Sequence, residues 1–288
     1  QTDWVVLKFG GGLITEKEKL LTARDQVIDA LAGAVSDIQA AGKAPIVVHG
    51  AGSFGHIKAK RWRLHEGRND GWSPESTNGD GITSQDEACL SVHQDMLNLN
   101  ARVVESLARA GLATSVHPPR DWANGTGPHF IGEFQDFLDM SDDTIPVFFG
   151  DVVHCMDNDF GILSGDDLVF RLAKEVEGVS AVVFCLGGVQ GLLTAPPDVT
   201  DSELVALWST DMDLHAHHDS TIDVTGGIAL KAARAGAISE VVEDVWFTDQ
   251  LMGPLDGIRK GMKLITIEIP DVEVELYEEK NEGSGYRA

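Results

Sequence analysis

Trp4-Val5-Val6-Leu7-Lys8-Phe9-Gly10-Gly11-Gly12 is a short apolar run that breaks on three glycines. Residues 24–41 follow with helical periodicity and stop at Gly42, so the opening reads strand, glycine turn, helix. Residues 45–49 form a second buried-type strand, which again ends in a glycine-rich turn at 50–55. Strands alternating with helices in this way predict an α/β fold, a parallel sheet with helices on its faces.

Working outward, residues 62–82 are rich in Gly, Asn, Asp, Ser and charge, and they predict a surface loop or lid. Residues 84–110 carry Leu90, Met96, Leu97, Val103, Val104 and Leu107 at helical spacing and predict one long helix ending at Gly111. Further short strands are predicted at 114–117, 145–149, 180–185, 241–247 and 263–267, with helices at 168–176 and 228–235. Residues 157–161 read as a hairpin turn, and 279–288 as a frayed tail. No internal repeat or heptad array interrupts this rhythm, so one domain over 1–288 is expected.

A chain of 288 residues with 43% hydrophobic and 24% charged residues has the composition of a folded globular protein. Its longest apolar stretches, such as 180–186, fall far short of the ~20 residues that cross a bilayer. Residues 4–9 run straight into glycines and charges, unlike a targeting segment. Cys89, Cys155 and Cys185 are an odd set without CxxC spacing and read as core thiols in a reducing cytosol. With 22 Lys and Arg against 46 Asp and Glu, the formal charge is -24, which repels nucleic acid and anionic lipid. Neither is an expected partner. An anionic ligand needs a local positive pocket, so basic residues among glycines stand out.

Four such constellations occur. Lys8-Phe9-Gly10-Gly11-Gly12 with Lys17 places backbone N–H groups and two ammonium groups where a phosphate can sit, although solvated lysines beside a glycine turn fit equally. His49-Gly50-Ala51-Gly52-Ser53-Phe54-Gly55-His56 puts small residues and a histidine at another strand end. Gly150-Asp151, then Ser164-Gly165-Asp166-Asp167 opening a helix, returns to the same place across the hairpin, and also reads as ordinary helix capping. Asp223-Val224-Thr225-Gly226-Gly227 with Lys231 is a second glycine-and-lysine helix start. His215, His217 and His218 read as solvated loop residues, and no metal site is predicted. GxxxxGK[ST] and GxGxxG are absent from the first strand turn, which removes the two commonest nucleotide motifs and with them a dinucleotide oxidoreductase.

In this order and at these separations, the four constellations resemble the amino acid kinase superfamily. Lys8-Phe9-Gly10-Gly11 with Ile14-Thr15-Glu16-Lys17, the run from Val48 to His56, Leu163-Ser164-Gly165-Asp166, and Asp223 to Gly227 with Lys231 are most similar to isopentenyl phosphate kinases within it. The resemblance implies a single open αβα sandwich with a mainly parallel sheet, an acceptor-binding part over about 1–165, and a nucleotide-binding part over about 166–270. It implies ATP and Mg2+ as phosphoryl donor, an isoprenyl monophosphate as acceptor, and a cytoplasmic homodimer. Lys8, Lys17, His56, Asp166 and Lys231 would be catalytic, with Asp166 orienting the lysines. Gly11, Gly12, Ala51, Gly52, Ser53, Gly55, His56, Gly150 and Asp151 would line the acceptor. Lys8, Gly10, Gly11, Ser164, Gly165, Asp166, Gly226, Gly227 and Lys231 would hold the nucleotide.

Two departures from the family pattern stand out. Gly12 replaces a frequent Ser or Ala, and Cys185-Leu186-Gly187-Gly188-Val189-Gln190-Gly191 lacks the acidic residue of a Thr-Asp-Val-x-Gly segment. The rival readings are a fosfomycin-type kinase, which would use the same histidine with a small polar acceptor, and a non-catalytic nucleotide or metabolite sensor. Retention of all three lysines argues against the sensor.

Overall fold

The computed structural model describes residues 2–16, 18–75, 80–139, 144–187, 227–248 and 286–287. The strands are β1 (Trp4–Phe9), β2 (Ala44–His49), β3 (Thr114–Val116), β4 (Ile145–Phe149), β5 (Asp151–Cys155), β6 (Asp159–Leu163), β7 (Val179–Cys185), β8 (Asp244–Thr248) and β9 (Tyr286–Arg287). Seven of them form one sheet in the order β3-β4-β2-β1-β7-β8-β9, parallel except for β9, while β5 and β6 make a separate antiparallel hairpin. The turn predicted at 157–161 overlaps the hairpin tip at 156–158, and its last three residues, 159–161, already belong to β6. The strand expected at 263–267 lies outside the described residues. Of the tail expected to fray, 279–285 and 288 lie outside the described residues, while Tyr286 and Arg287 pair with Phe247 and Trp246.

Alternation along each strand feeds two cores. Val5, Leu7, Phe9, Val47, Phe149, Val183 and Cys185 lie on one face, and Val6, Ile46, Val48, Phe148, Val182 and Phe184 on the other. Burial on both faces is why these strands read as continuous apolar runs, each fully buried large side chain contributing about 1.5–3 kcal/mol.

The first face is covered by α2 (Asp25–Ala40), α3 (Gly52–Arg61) and α4 (Gln85–Arg109), following the short turn α1 (Gly11–Ile14). α2 buries Ile28, Leu31, Ala32, Val35 and Ile38, a stripe at helical spacing. α4 starts at Ser84, whose hydroxyl accepts from Glu87 N at 3.2 Å. Its buried stripe runs through Cys89, Val92, Met96, Leu99, Val103 and Leu107, whereas Leu90, expected in that stripe, is 58% exposed. The second face is covered by α6 (Gly165–Glu175) and α7 (Gly227–Ser239), with α5 (Gln135–Asp139) at its margin.

The glycine-rich turn expected at 50–55 gives way at Gly52 to α3, which runs on through 56–61, where no element is predicted, and buries Phe54 and Ala59. Among the described residues no helix is long and apolar enough to cross a membrane.

Candidate active site

The same alternation sends Lys8 to the α6 face of the sheet. Asp166 is the second residue of α6, a helix capped by Ser164, whose hydroxyl accepts from Asp167 N at 3.1 Å. Lys8 Nζ lies 2.6 Å from Asp166 Oδ1, and Lys231 Nζ, from α7, lies 3.2 Å from Oδ2. Oδ1 has no aligned hydrogen-bond donor among the described residues, so its contact with Lys8 is an ion pair. One carboxylate thus gathers two ammonium groups into a centre with net positive charge. Burial alone would raise the Asp166 carboxyl, but the charges of Lys231 and Lys8 outweigh it and hold its pKa below the ordinary value. Asp167 goes the other way. Burial raises its pKa although Arg234 Nε sits 2.8 Å from Oδ1.

The glycine turns pack on one another. A side chain on Gly11 would meet Gly52 N at 2.2 Å, and one on Gly52, at φ 49°, would meet Thr15 Oγ1 at 2.0 Å. Glycine is required there by contact between the turns after β1 and β2. Gly10 N donates to the Cys185 carbonyl at 2.8 Å, which ties the same turn to the end of β7. A methyl group on Gly165 would come within 3.3 Å of Lys8 Cε and 3.2 Å of the His49 carbonyl oxygen. The start of α6 therefore sits over the ends of β1 and β2. Ser53, expected to line the acceptor, donates its N–H to Thr15 Oγ1 at 3.0 Å, and its hydroxyl accepts from Thr22 N at 3.4 Å.

Three histidines stand on β2, α3 and α4. His49 ends β2 and is fully buried, stacked on Phe149 with ring centroids 5.1 Å apart. Burial pushes its pKa down to about 4. Its Nδ1 is 3.1 Å from Gly50 O and its Nε2 3.2 Å from Asn100 Oδ1. A neutral ring that donates from Nδ1 must accept at Nε2, so the Asn100 amide is read with its NH2 toward the ring. His56 lies half-buried in the first half of α3. His93, on α4, was not singled out in the sequence. Its Nδ1 is 2.6 Å from Asp151 Oδ2. A buried ion pair between Lys58 and Asp95, with Ser91 2.6 Å from Lys58 Nζ, holds α3 to α4 beside it.

Lys8, Asp166 and Lys231 are therefore brought together, with Gly10, Gly11, Gly52, Gly150, Ser164 and Gly165 around them. Gly12 packs by its carbonyl 2.6 Å from the Cβ position of Gly187. Ala51 precedes α3, Gly55 lies within it, and Gly227 opens α7. Lys17 and Gly226 lie outside the described residues, as do His215, His217, His218 and residues 188–191. Cys89, Cys155 and Cys185 are buried free thiols, and burial pushes the Cys185 thiol up to about 12. No group of three or more His, Cys, Asp or Glu placed to hold a metal occurs among the described residues.

Comparison with known proteins agrees with this geometry. The amino acid kinase family pattern matches residues 3–242. The isopentenyl phosphate kinase of Haloferax volcanii is 34% identical over 239 residues, covering 81% of this chain and 88% of that protein. That of Thermoplasma acidophilum is 31% identical over 228 residues, covering 79% and 83%. The crystal structure of the T. acidophilum enzyme in a product complex superposes with a TM-score of 0.68 at 25% identity, covering 86% of this chain and 92% of that one. A second isopentenyl phosphate kinase structure, a substrate complex at 24% identity, shares the fold with a TM-score of 0.70. With most of its length matched by the family and by relatives above 30% identity, the chain belongs to the amino acid kinase family.

Proposed function

We propose that the chain transfers the γ-phosphoryl group of ATP to isopentenyl phosphate, giving isopentenyl diphosphate and ADP. The observation that carries this reading is the pairing of Lys8 and Lys231 on Asp166 at the ends of β1 and β2, in a family whose similar members are isopentenyl phosphate kinases. Both reactants are anions. Two lysines steered by one carboxylate offset their repulsion and stabilise charge on the transferring group without a reorganisation step.

An oxygen of the acceptor phosphate forms the new P–O bond as the bond from Pγ to the ADP oxygen breaks. That oxygen is already nucleophilic near neutral pH, so no strong general base is required. His56 holds the acceptor phosphate from α3, and Lys17 joins the donor side. The part over about 1–165 serves the acceptor and that over about 166–270 the nucleotide.

Mg2+ accompanies ATP. Lys231 engages Asp166 and Arg234 engages Asp167, so the donor phosphates would hold the ion, and it would offset their charge. Three buried free cysteines favour a cytoplasmic setting, and a homodimer follows from the family likeness.

Coupled ADP release with isopentenyl phosphate, dimethylallyl phosphate, fosfomycin and acetylglutamate in parallel tests the assignment. Isopentenyl phosphate is expected to give the highest kcat/KM, and a clear preference for another acceptor would overturn it. Absence of ADP release with every acceptor would favour a sensor.

A further inference from the structure

The acceptor side contains a polar pair in an apolar wall. His93 stands on α4 three residues before Met96, whose sulfur lies 3.4 Å from the Cβ position of Gly55, next to His56. The residues around it on α4 and β5, namely Cys89, Val92, Met96 and Val152, belong to the hydrophobic core. Asp151 receives His93 Nδ1 on one oxygen and Val152 N, at 2.7 Å, on the other. Its side chain is fully buried, while that of His93 keeps 19% exposure.

Asp151 also sits at the edge of the phosphoryl centre. It follows Gly150 directly, and the Cβ position of Gly150 is 3.1 Å from Gly165 N, on the turn that covers Lys8. Burial raises the Asp151 carboxyl even though His93 and Arg120 pull it down. A buried carboxylate of this kind is a poor way to fasten a helix, since apolar residues of the same size would do so without desolvating a charge. His93 Nε2 has no partner among the described residues.

We infer that His93, oriented by Asp151, is a second acceptor-binding histidine, whose outward Nε2 hydrogen-bonds the acceptor phosphate alongside His56. Asp151 is the positioning residue. By accepting from Nδ1 it fixes the ring and turns Nε2 outward. This deepens the kinase reading and rests on it.

His93→Asn keeps a nitrogen for Asp151 and removes the outward one. With isopentenyl phosphate its acceptor KM is expected to rise about tenfold or more, the loss of one charge-assisted hydrogen bond, while KM for ATP and Tm stay near wild type. An acceptor KM within about twofold of wild type, at unchanged Tm, would show the pair to be structural and overturn the inference.

A second readout needs no turnover. In nitrogen-15 NMR of the wild-type histidines, the His93 Nε2 resonance is expected to move on titration with isopentenyl phosphate and with inorganic phosphate. A resonance that neither anion moves overturns the inference even if His93→Asn fails to fold. Wild type that shifts His93 with phosphate but releases no ADP with isopentenyl phosphate would sink the acceptor assignment and leave the inference standing.

Discussion

Lys8 and Lys231 meet on one carboxylate, whereas His56 and His93 stand on two facing helices, and in the proposed site the two sides differ in the kind of side chain they offer. Lysine at its ordinary pKa near ~10.4 is charged throughout the physiological range, and histidine near ~6.5 responds to its surroundings. The transferring phosphoryl group is negative at every stage, which suits permanent cations fixed by Asp166. In the proposed site the acceptor phosphate meets histidines instead, which offer directed hydrogen bonds. His49 shows that response to surroundings: sealed from solvent, it is held neutral.

The contrast can be broken by removing one side at a time. Lys8→Met removes a cation at the transferring group and leaves Asp166 with Lys231 alone; kcat is expected to fall by about 10^3-fold, as for loss of a preorganised charge donor. A loss under about tenfold in single-turnover rate would remove Lys8 from the phosphoryl step.

The next effect concerns stability. His49 has a folded pKa near 4 against an ordinary 6.5, so the unfolded chain binds the proton more readily. Its contribution is fully present above pH 6.5 and is lost as pH falls through about 4, a change on the order of 3 kcal/mol. Urea melts across that range should show a steeper decline for wild type than for His49→Gln, and parallel declines would contradict the neutral buried ring.

Much of the fold was legible because its signals are local. Runs such as Trp4 to Phe9 stop at glycines, and period-two alternation already puts Lys8 on the opposite face from Leu7 and Phe9. α3 was missed because Gly52, Ser53 and Gly55 read as a turn, and only the contact between Gly11 and Gly52 shows why glycine belongs in a helix start. The same contact adds close packing of two turns to the reasons for glycine there. His93 was missed for a different reason. Its partner Asp151 is 58 residues away, and on α4 it looks like one more polar position among apolar ones. The meeting of Lys8 and Lys231 on Asp166 was expected from family likeness, since nothing in their spacing brings residues so distant in the chain together.

The division of labour between lysines and histidines is tested most directly by calorimetric titration of His56→Ala with isopentenyl phosphate and, separately, with a non-hydrolysable ATP analogue. Acceptor affinity is expected to fall about tenfold or more while nucleotide affinity stays within about twofold of wild type. Equal weakening of both ligands would contradict a site in which histidine serves the acceptor and lysine the donor.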